Sequence, residues 1–143
     1  MASTSTLDPS TDDGAAAIER LRTERIAWLT TVEPDGQPFT APIWFEWLDG
    51  EILLYSAKRA RRNANLADNP HVAFNLNTDP TGDHYVILEG TARFEPDGIP
   101  AVDNPPYLAK YRSLIDEYGW TDASFSADYP YRVVITPTRW RAQ

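Results

Sequence analysis

Four apolar residues in a row, Ile52, Leu53, Leu54 and Tyr55, follow an Asp49-Gly50 pair by one residue and are followed almost at once by a cluster of cations. No other stretch constrains the fold as much. A run this short reads as a buried strand, placed here over residues 51–57. Asp49-Gly50 has the chemistry of a two-residue type I′ turn, so the strand is the second arm of a hairpin. Lys58, Arg59, Arg61 and Arg62 come next and concentrate four of the 13 Lys and Arg residues within five positions. Behind them the chain reads as a short helix that ends before Pro70. Cations at such a strand-to-helix junction are locally unfavourable. The helix N-terminus carries roughly half a positive charge, and the pairs Lys58/Arg62 and Arg59/Arg62 repel at helical spacing by about 0.2–0.5 kcal/mol each. A phosphate or carboxylate bound there relieves both penalties. The other reading of the cluster is a solvated basic turn.

Hairpins account for most of the remaining chain. Residues 26–33 are rich in β-branched and aromatic side chains and run into Pro34-Asp35-Gly36, a turn sequence. The return strand, residues 37–48, contains Pro42, which cannot donate to a sheet ladder and so marks an edge, a bulge or a bend. Residues 71–77 alternate, with Val72, Phe74 and Leu76 on one face. A longer strand over 84–95 carries Gly90 where a barrel corner or bulge needs it. Asn104, Pro105 and Pro106 start a helix whose Tyr107, Leu108, Tyr111, Leu114, Ile115 and Tyr118 recur at helical spacing up to Gly119. Thr121 caps a further short turn through Phe125, and residues 131–139 return as the last strand. A short amphipathic helix is expected over residues 15–25, preceded by a disordered tail over residues 1–14, whose small, acidic composition offers little apolar surface to bury. Five or six strands joined by hairpins, with helices inserted, predict an α+β fold built on a small antiparallel Greek-key barrel.

A chain of 143 residues is one domain, here 15–143, with room for a single hydrophobic core and not for two. The net charge of −8 argues against nucleic acid as a partner, since such affinity comes from neutralising phosphates; the basic cluster is therefore a local device. Without cysteine there is no thiolate chemistry, and His71 and His84 lack a carboxylate cluster at ligand spacing, so no metal is expected. No signal peptide or membrane-spanning run is read in the sequence, so a cytoplasmic protein is expected.

The strand end Tyr55-Ser56, the doublet Arg61-Arg62, then Asn65-Leu66 and Asn69-Pro70 together resemble the pyridoxamine 5′-phosphate oxidase superfamily of split barrels. WLTTVEPDGQPFTAPIWFEW, the YLAKYR helix, the Gly119 to Phe125 segment and the terminal PTRWR resemble its actinobacterial branch of deazaflavin-dependent reductases, which use coenzyme F420. The resemblance implies a split β-barrel of the FMN- or F420-binding type. It also implies a homodimer that holds the cofactor in a groove between subunits. Tyr55, Ser56, Arg61 and Arg62 match the phosphate site, and Thr40, Ala41, Pro42, Ile43 and Trp44 match the strand whose backbone faces the ring. The additional cations Lys58 and Arg59 suit the phosphate and polyglutamate tail of F420 better than the single phosphate of FMN. Ala60-Arg61-Arg62 stands where the oxidases have Ser-Arg-Lys, and their C-terminal Arg/His substrate motif has no counterpart, so the resemblance does not extend to oxidation of pyridoxamine phosphate. The expected activity is hydride transfer from F420 to a small enone or quinone-like acceptor. An FMN-dependent flavin reductase or oxidase, and a non-catalytic cofactor- or metabolite-binding protein, are the alternatives. Tyr55, Tyr107 and Tyr111 are candidates for a proton donor, set against plain core packing.

Overall fold

Pro42 lies within an edge strand, one of the three places its missing donor allows. In the computed structural model, which describes residues 4–143, the chain forms helix α1 (Asp12–Thr23), strands β1 (Ala27–Val32), β2 (Pro38–Ile43), β3 (Glu46–Leu48) and β4 (Glu51–Ser56), helix α2 (Arg61–Asp68), strands β5 (His71–Asn75) and β6 (Val86–Phe94), helices α3 (Pro105–Glu117) and α4 (Asp122–Asp128), and strand β7 (Tyr131–Ala142). The single strand expected over 37–48 is thus two, separated by Trp44 and Phe45. All seven strands belong to one sheet of order β2-β1-β5-β6-β7-β4-β3, and every pairing in it is antiparallel. Its two edges, β2 and β3, are consecutive in the chain. The three steps from Ile43 to Glu46 span at most about 11 Å, so the sheet has to curl until its edges nearly meet. That requirement makes it a split barrel.

The turns behave as their residues dictate. Asp49 and Gly50 both have positive φ, 43° and 104°, as a type I′ turn between β3 and β4 demands. The β6–β7 register shifts between Glu89 and Gly90, and a β-carbon at Gly90 would run into the Thr136 carbonyl oxygen, so this bulge needs glycine. Asn104 caps α3 by accepting from the Tyr107 backbone N–H at 3.2 Å, and Thr121 caps α4 in a reciprocal box with Ser124.

The core is double, not single. Inside the barrel, Leu29, Ile43, Phe45, Ile52, Leu54, Phe74, Leu88 and Ile135 pack together with Leu21 of α1 and Leu66 of α2. A second cluster lies on the other face of β4 and β7, where Leu53, Tyr55 and Val134 meet Tyr107, Tyr111, Ile115 and Phe125 of α3 and α4. Strand β4 is therefore buried on both faces, which is why its sequence is a continuous apolar run instead of an alternation. Two thin cores are possible in a chain of this length because they share those strands.

The N-terminal segment also departs from expectation. Met1, Ala2 and Ser3 of the expected disordered tail lie outside the described residues, but Thr4 pairs with Trp140 of β7, and Leu7 packs on the barrel core. Helix α1 starts at Asp12 instead of residue 15, because the Thr11 hydroxyl accepts from the Gly14 N–H at 3.0 Å and caps it there. Among the described residues, no helix is long and apolar enough to cross a membrane.

Candidate functional site

The backbone divides the basic cluster. Helix α2 begins at Arg61, so Lys58 and Arg59 sit exposed in the preceding turn and the expected helical-spacing repulsion with Arg62 does not arise. Arg61 and Arg62 are successive helical residues about 100° apart around the axis, and they enter different surroundings. Arg61 Nη2 lies 2.7 Å from Glu33 Oε1 and its guanidinium 5.2 Å from the centre of the Phe39 ring, so its charge is already balanced within the chain. Arg62 has no carboxylate partner among the described residues. Its Nε donates to Ser56 Oγ at 3.0 Å, and burial presses its pKa below the usual arginine value. The fully buried Ser56 hydroxyl in turn donates to Asn63 Oδ1 at 2.6 Å, and Asn63 Nδ2 donates to the Ala57 carbonyl at 2.7 Å. This relay ties the end of β4 to the first turn of α2 and holds the Arg62 guanidinium in place.

Arg62 points into a cavity of about 130 Å³ between the end of β2 and helices α3 and α4. Pro42, Ile43, Trp44 and Tyr55 form one side of it; Tyr107, Phe125 and Tyr129 form the other. Five of its eight lining residues are aromatic. Trp44 stacks on Tyr111, with centroids 4.6 Å apart and planes 2° from parallel, and lies 5.6 Å from Phe125. A larger cavity of about 420 Å³ lies under the N-terminal segment against Trp47 and Trp140, but it contains none of the residues expected to bind a cofactor. Converging donors, not volume, locate the chemistry.

Three buried tyrosines on this aromatic interior differ in what their hydroxyls do. The Tyr55 hydroxyl donates to the Ile99 carbonyl at 3.0 Å and accepts from Arg132 Nη1 and Asn104 Nδ2 at 3.1 and 3.2 Å. Tyr111 Oη accepts from the Phe45 N–H at 2.7 Å and has the Arg25 carbonyl at 2.6 Å as its own acceptor. Both are saturated, so neither is poised to give a proton to a ligand. Tyr107 Oη makes no hydrogen bond among the described residues. Desolvation raises its pKa well above the ordinary tyrosine value, which keeps it a donor at neutral pH.

Of the residues expected at a cofactor site, Pro42, Ile43, Trp44, Tyr55 and Arg62 converge on this cavity, and Ser56 supports it from below. Thr40 does not reach it: its hydroxyl lies 2.7 Å from that of Thr30 on the outer face of the sheet. Ala41 is half-buried between them, and Lys58, Arg59 and Arg61 lie outside the cavity. Phe125 and Tyr129 line it although sequence reasoning passed them over, because their spacing on a short helix carries no signal beyond core packing. Nearby, Lys110 Nζ donates to the Phe45 carbonyl at 2.8 Å and sits 3.8 Å from the centre of the Phe45 ring; burial lowers its pKa to about 8. Lys110 and Tyr111 together pin the bend between β2 and β3 that carries Trp44.

The sequence model of the pyridoxamine 5′-phosphate oxidase family matches residues 14–143, nearly the whole chain. The chain belongs to this family. Among solved structures, the protein is similar to an F420 reductase, with 28% identity and a TM-score of 0.60 over 87% of this chain and 96% of that one. It is similar also to a conserved hypothetical protein of Mycobacterium tuberculosis, 27% identical with a TM-score of 0.55 over 93% of this chain and 81% of the other. An FAD-binding protein of Mesorhizobium loti shares the fold, with a TM-score of 0.64 at 17% identity over 99% of this chain and 100% of that one. No protein of curated function matches the sequence. The split barrel implied by the resemblance is thus the family's architecture.

Proposed function

We propose that the protein is an F420-dependent oxidoreductase that acts on a small electrophilic acceptor, an enone or quinone-like compound, with the deazaflavin supplying the hydride. The observation that carries this reading is Arg62: a partly buried guanidinium without a carboxylate partner among the described residues, held by Ser56 and aimed into a cavity beside Trp44 and Pro42. A charge so placed is costly unless an anion meets it. The similarity to an F420 reductase at 28% identity supports the choice of cofactor. Exposed Lys58 and Arg59 suit a polyanionic tail outside the cavity, and Pro42 to Trp44 supply the segment along which a ring would lie. The protein's own part is to bind, orient and exclude water. The reading includes a homodimer whose two subunits share the cofactor groove, checked by sedimentation at micromolar concentration.

Titration of the protein with F420 and with FMN, followed by ligand fluorescence, tests the proposal. F420 should bind the more tightly, and reversing Lys58 and Arg59 to Glu should lower its affinity while leaving FMN nearly unaffected. Equal losses for both ligands would remove the charge argument for F420, and no binding of either would end the oxidoreductase reading.

A further inference from the structure

The segment that precedes α1 is fastened at both ends and roofs a cavity between them. At one end Thr4 and Trp140 exchange backbone hydrogen bonds, the Thr4 N–H donating to the Trp140 carbonyl at 3.0 Å. At the other, the Asp8 carbonyl accepts from the Thr11 N–H at 3.2 Å and from its hydroxyl at 2.9 Å. A β-carbon at Gly14 would lie 1.9 Å from that carbonyl, so only glycine lets the segment come down on α1 there. Beneath the span is the cavity of about 420 Å³, bounded on the barrel side by Trp140, Trp47 and Leu7. Trp140 is 1% exposed, yet its indole N–H has no protein acceptor among the described residues. None of their side-chain nitrogens is both sealed from solvent and unpaired, so this one opens onto the cavity that Trp140 lines. Arg22 of α1 and Asp49 of the β3–β4 turn line the same space, and neither has an ion-pair partner among the described residues. We infer that this cavity is a second small-molecule site, separate from the cofactor cavity, and that it takes a free aromatic amino acid as its zwitterion.

Each part of such a ligand has its counterpart on the walls. The ring meets Trp47 and Trp140, whose own rings are 6.0 Å apart and 66° from parallel, and Ile18 and Leu7 complete the apolar lining. The carboxylate meets the donors, the Arg22 guanidinium and the Trp140 indole N–H, and the ammonium meets Asp49. One cation and one anion match a ligand of zero net charge. A simple aromatic acid leaves Asp49 facing a carboxylate, and a simple aromatic amine leaves Arg22 facing an ammonium. The volume falls within the range of about 300–1,000 Å³ usual for small-molecule sites, which the mouths of barrels commonly supply. Water alone is a poor occupant, since roughly fourteen molecules fill this volume against largely apolar side chains. No lining residue is shared with the cavity of Arg62, so the inference stands apart from the cofactor reading.

L-phenylalanine, N-acetyl-L-phenylalanine, L-phenylalaninamide and glycine, titrated into the full chain, provide the test; calorimetry gives the affinity and the indole N–H resonances of Trp47 and Trp140 report the place. Phenylalanine should bind, each singly charged analogue about threefold or more weaker, and glycine about tenfold or more weaker. Arg22→Met should weaken phenylalanine about three- to tenfold without weakening phenylalaninamide. Asp49→Asn, which tolerates the positive φ of that turn, should weaken phenylalanine about as much without weakening N-acetylphenylalanine. Ile18→Trp fills the cavity and should cost phenylalanine about tenfold or more, with a thermal midpoint no lower than that of the wild type. Arg22 is exposed, so Arg22→Met keeps the test decisive if the filled variant fails to fold.

Equal affinity for phenylalanine and both analogues would overturn the zwitterion site, as would variants that all bind like the wild type or an absence of binding at millimolar phenylalanine. Displacement of phenylalanine by F420, or resonance shifts confined to Trp44 and the Arg62 Nε–H, would put the ligand in the cofactor cavity and overturn the second site. Phenylalanine binding that survives in Arg62→Met and moves the Trp47 and Trp140 resonances supports it, whether or not the protein binds F420.

Discussion

Replacing Tyr111 with phenylalanine removes one oxygen and exposes how the bent edge of the barrel is held. That oxygen accepts from the N–H of the fully buried Phe45 at 2.7 Å and bonds the Arg25 carbonyl at 2.6 Å. The Phe45 carbonyl keeps Lys110 as a donor at 2.8 Å, so it is not orphaned. The loss is therefore one buried N–H without a partner, about 1–3 kcal/mol, plus one ordinary hydrogen bond, about 0.5–1.5 kcal/mol. A total of about 2–4 kcal/mol, at roughly 4 °C per kcal/mol for a domain of this size, lowers the thermal midpoint by about 8–15 °C. Urea unfolding should show the same loss with an unchanged m-value. Tyr107→Phe, four residues away on the same helix, is the matched comparison because its hydroxyl has no protein bond to lose. Midpoints that fall equally in the two variants would refute the reasoning that hydroxyl partners, and not ring packing, set the difference.

Arg61→Ala should cost about 1 kcal/mol in urea unfolding, since its own side chain is 63% exposed while that of Glu33 is 15% exposed, and should weaken F420 binding less than Arg62→Met does. The Lys110 ammonium, depressed to about 8 by burial, gives a pH signature. Between about pH 8 and the ordinary lysine range the unfolded chain holds more protons than the folded one, so stability should rise with pH across that window. This rise should be absent in Lys110→Met. Gly90→Ala drives a β-carbon into the Thr136 carbonyl at the bulge and should destabilise by about 1–3 kcal/mol, read as a lower thermal midpoint.

Local chemistry decided much of this protein in advance of folding. Asp49-Gly50 commits the chain to a tight hairpin, Ile52 to Tyr55 commit it to a strand covered on both faces, and Asn104-Pro105-Pro106 start a helix wherever they are placed. Each is a preference of a few neighbouring residues, so it can be read without knowing what lies across the molecule. A small antiparallel barrel follows from the number and spacing of such strands, and the resemblance to the oxidase family made it a split barrel.

What the basic cluster does was not local. Lys58, Arg59, Arg61 and Arg62 look equivalent along the chain, yet Glu33, distant in sequence, neutralises Arg61, while α3 and α4 partly cover Arg62. The same holds for the tyrosines. Tyr107 and Tyr111 sit one helical turn apart with identical chemistry, and only the position of Phe45 and Arg25, brought in by the bend after β2 and the start of β1, saturates one hydroxyl and leaves the other open. A side chain's partner is set by distance in space, and across a curled sheet that distance has no counterpart in the spacing of residues.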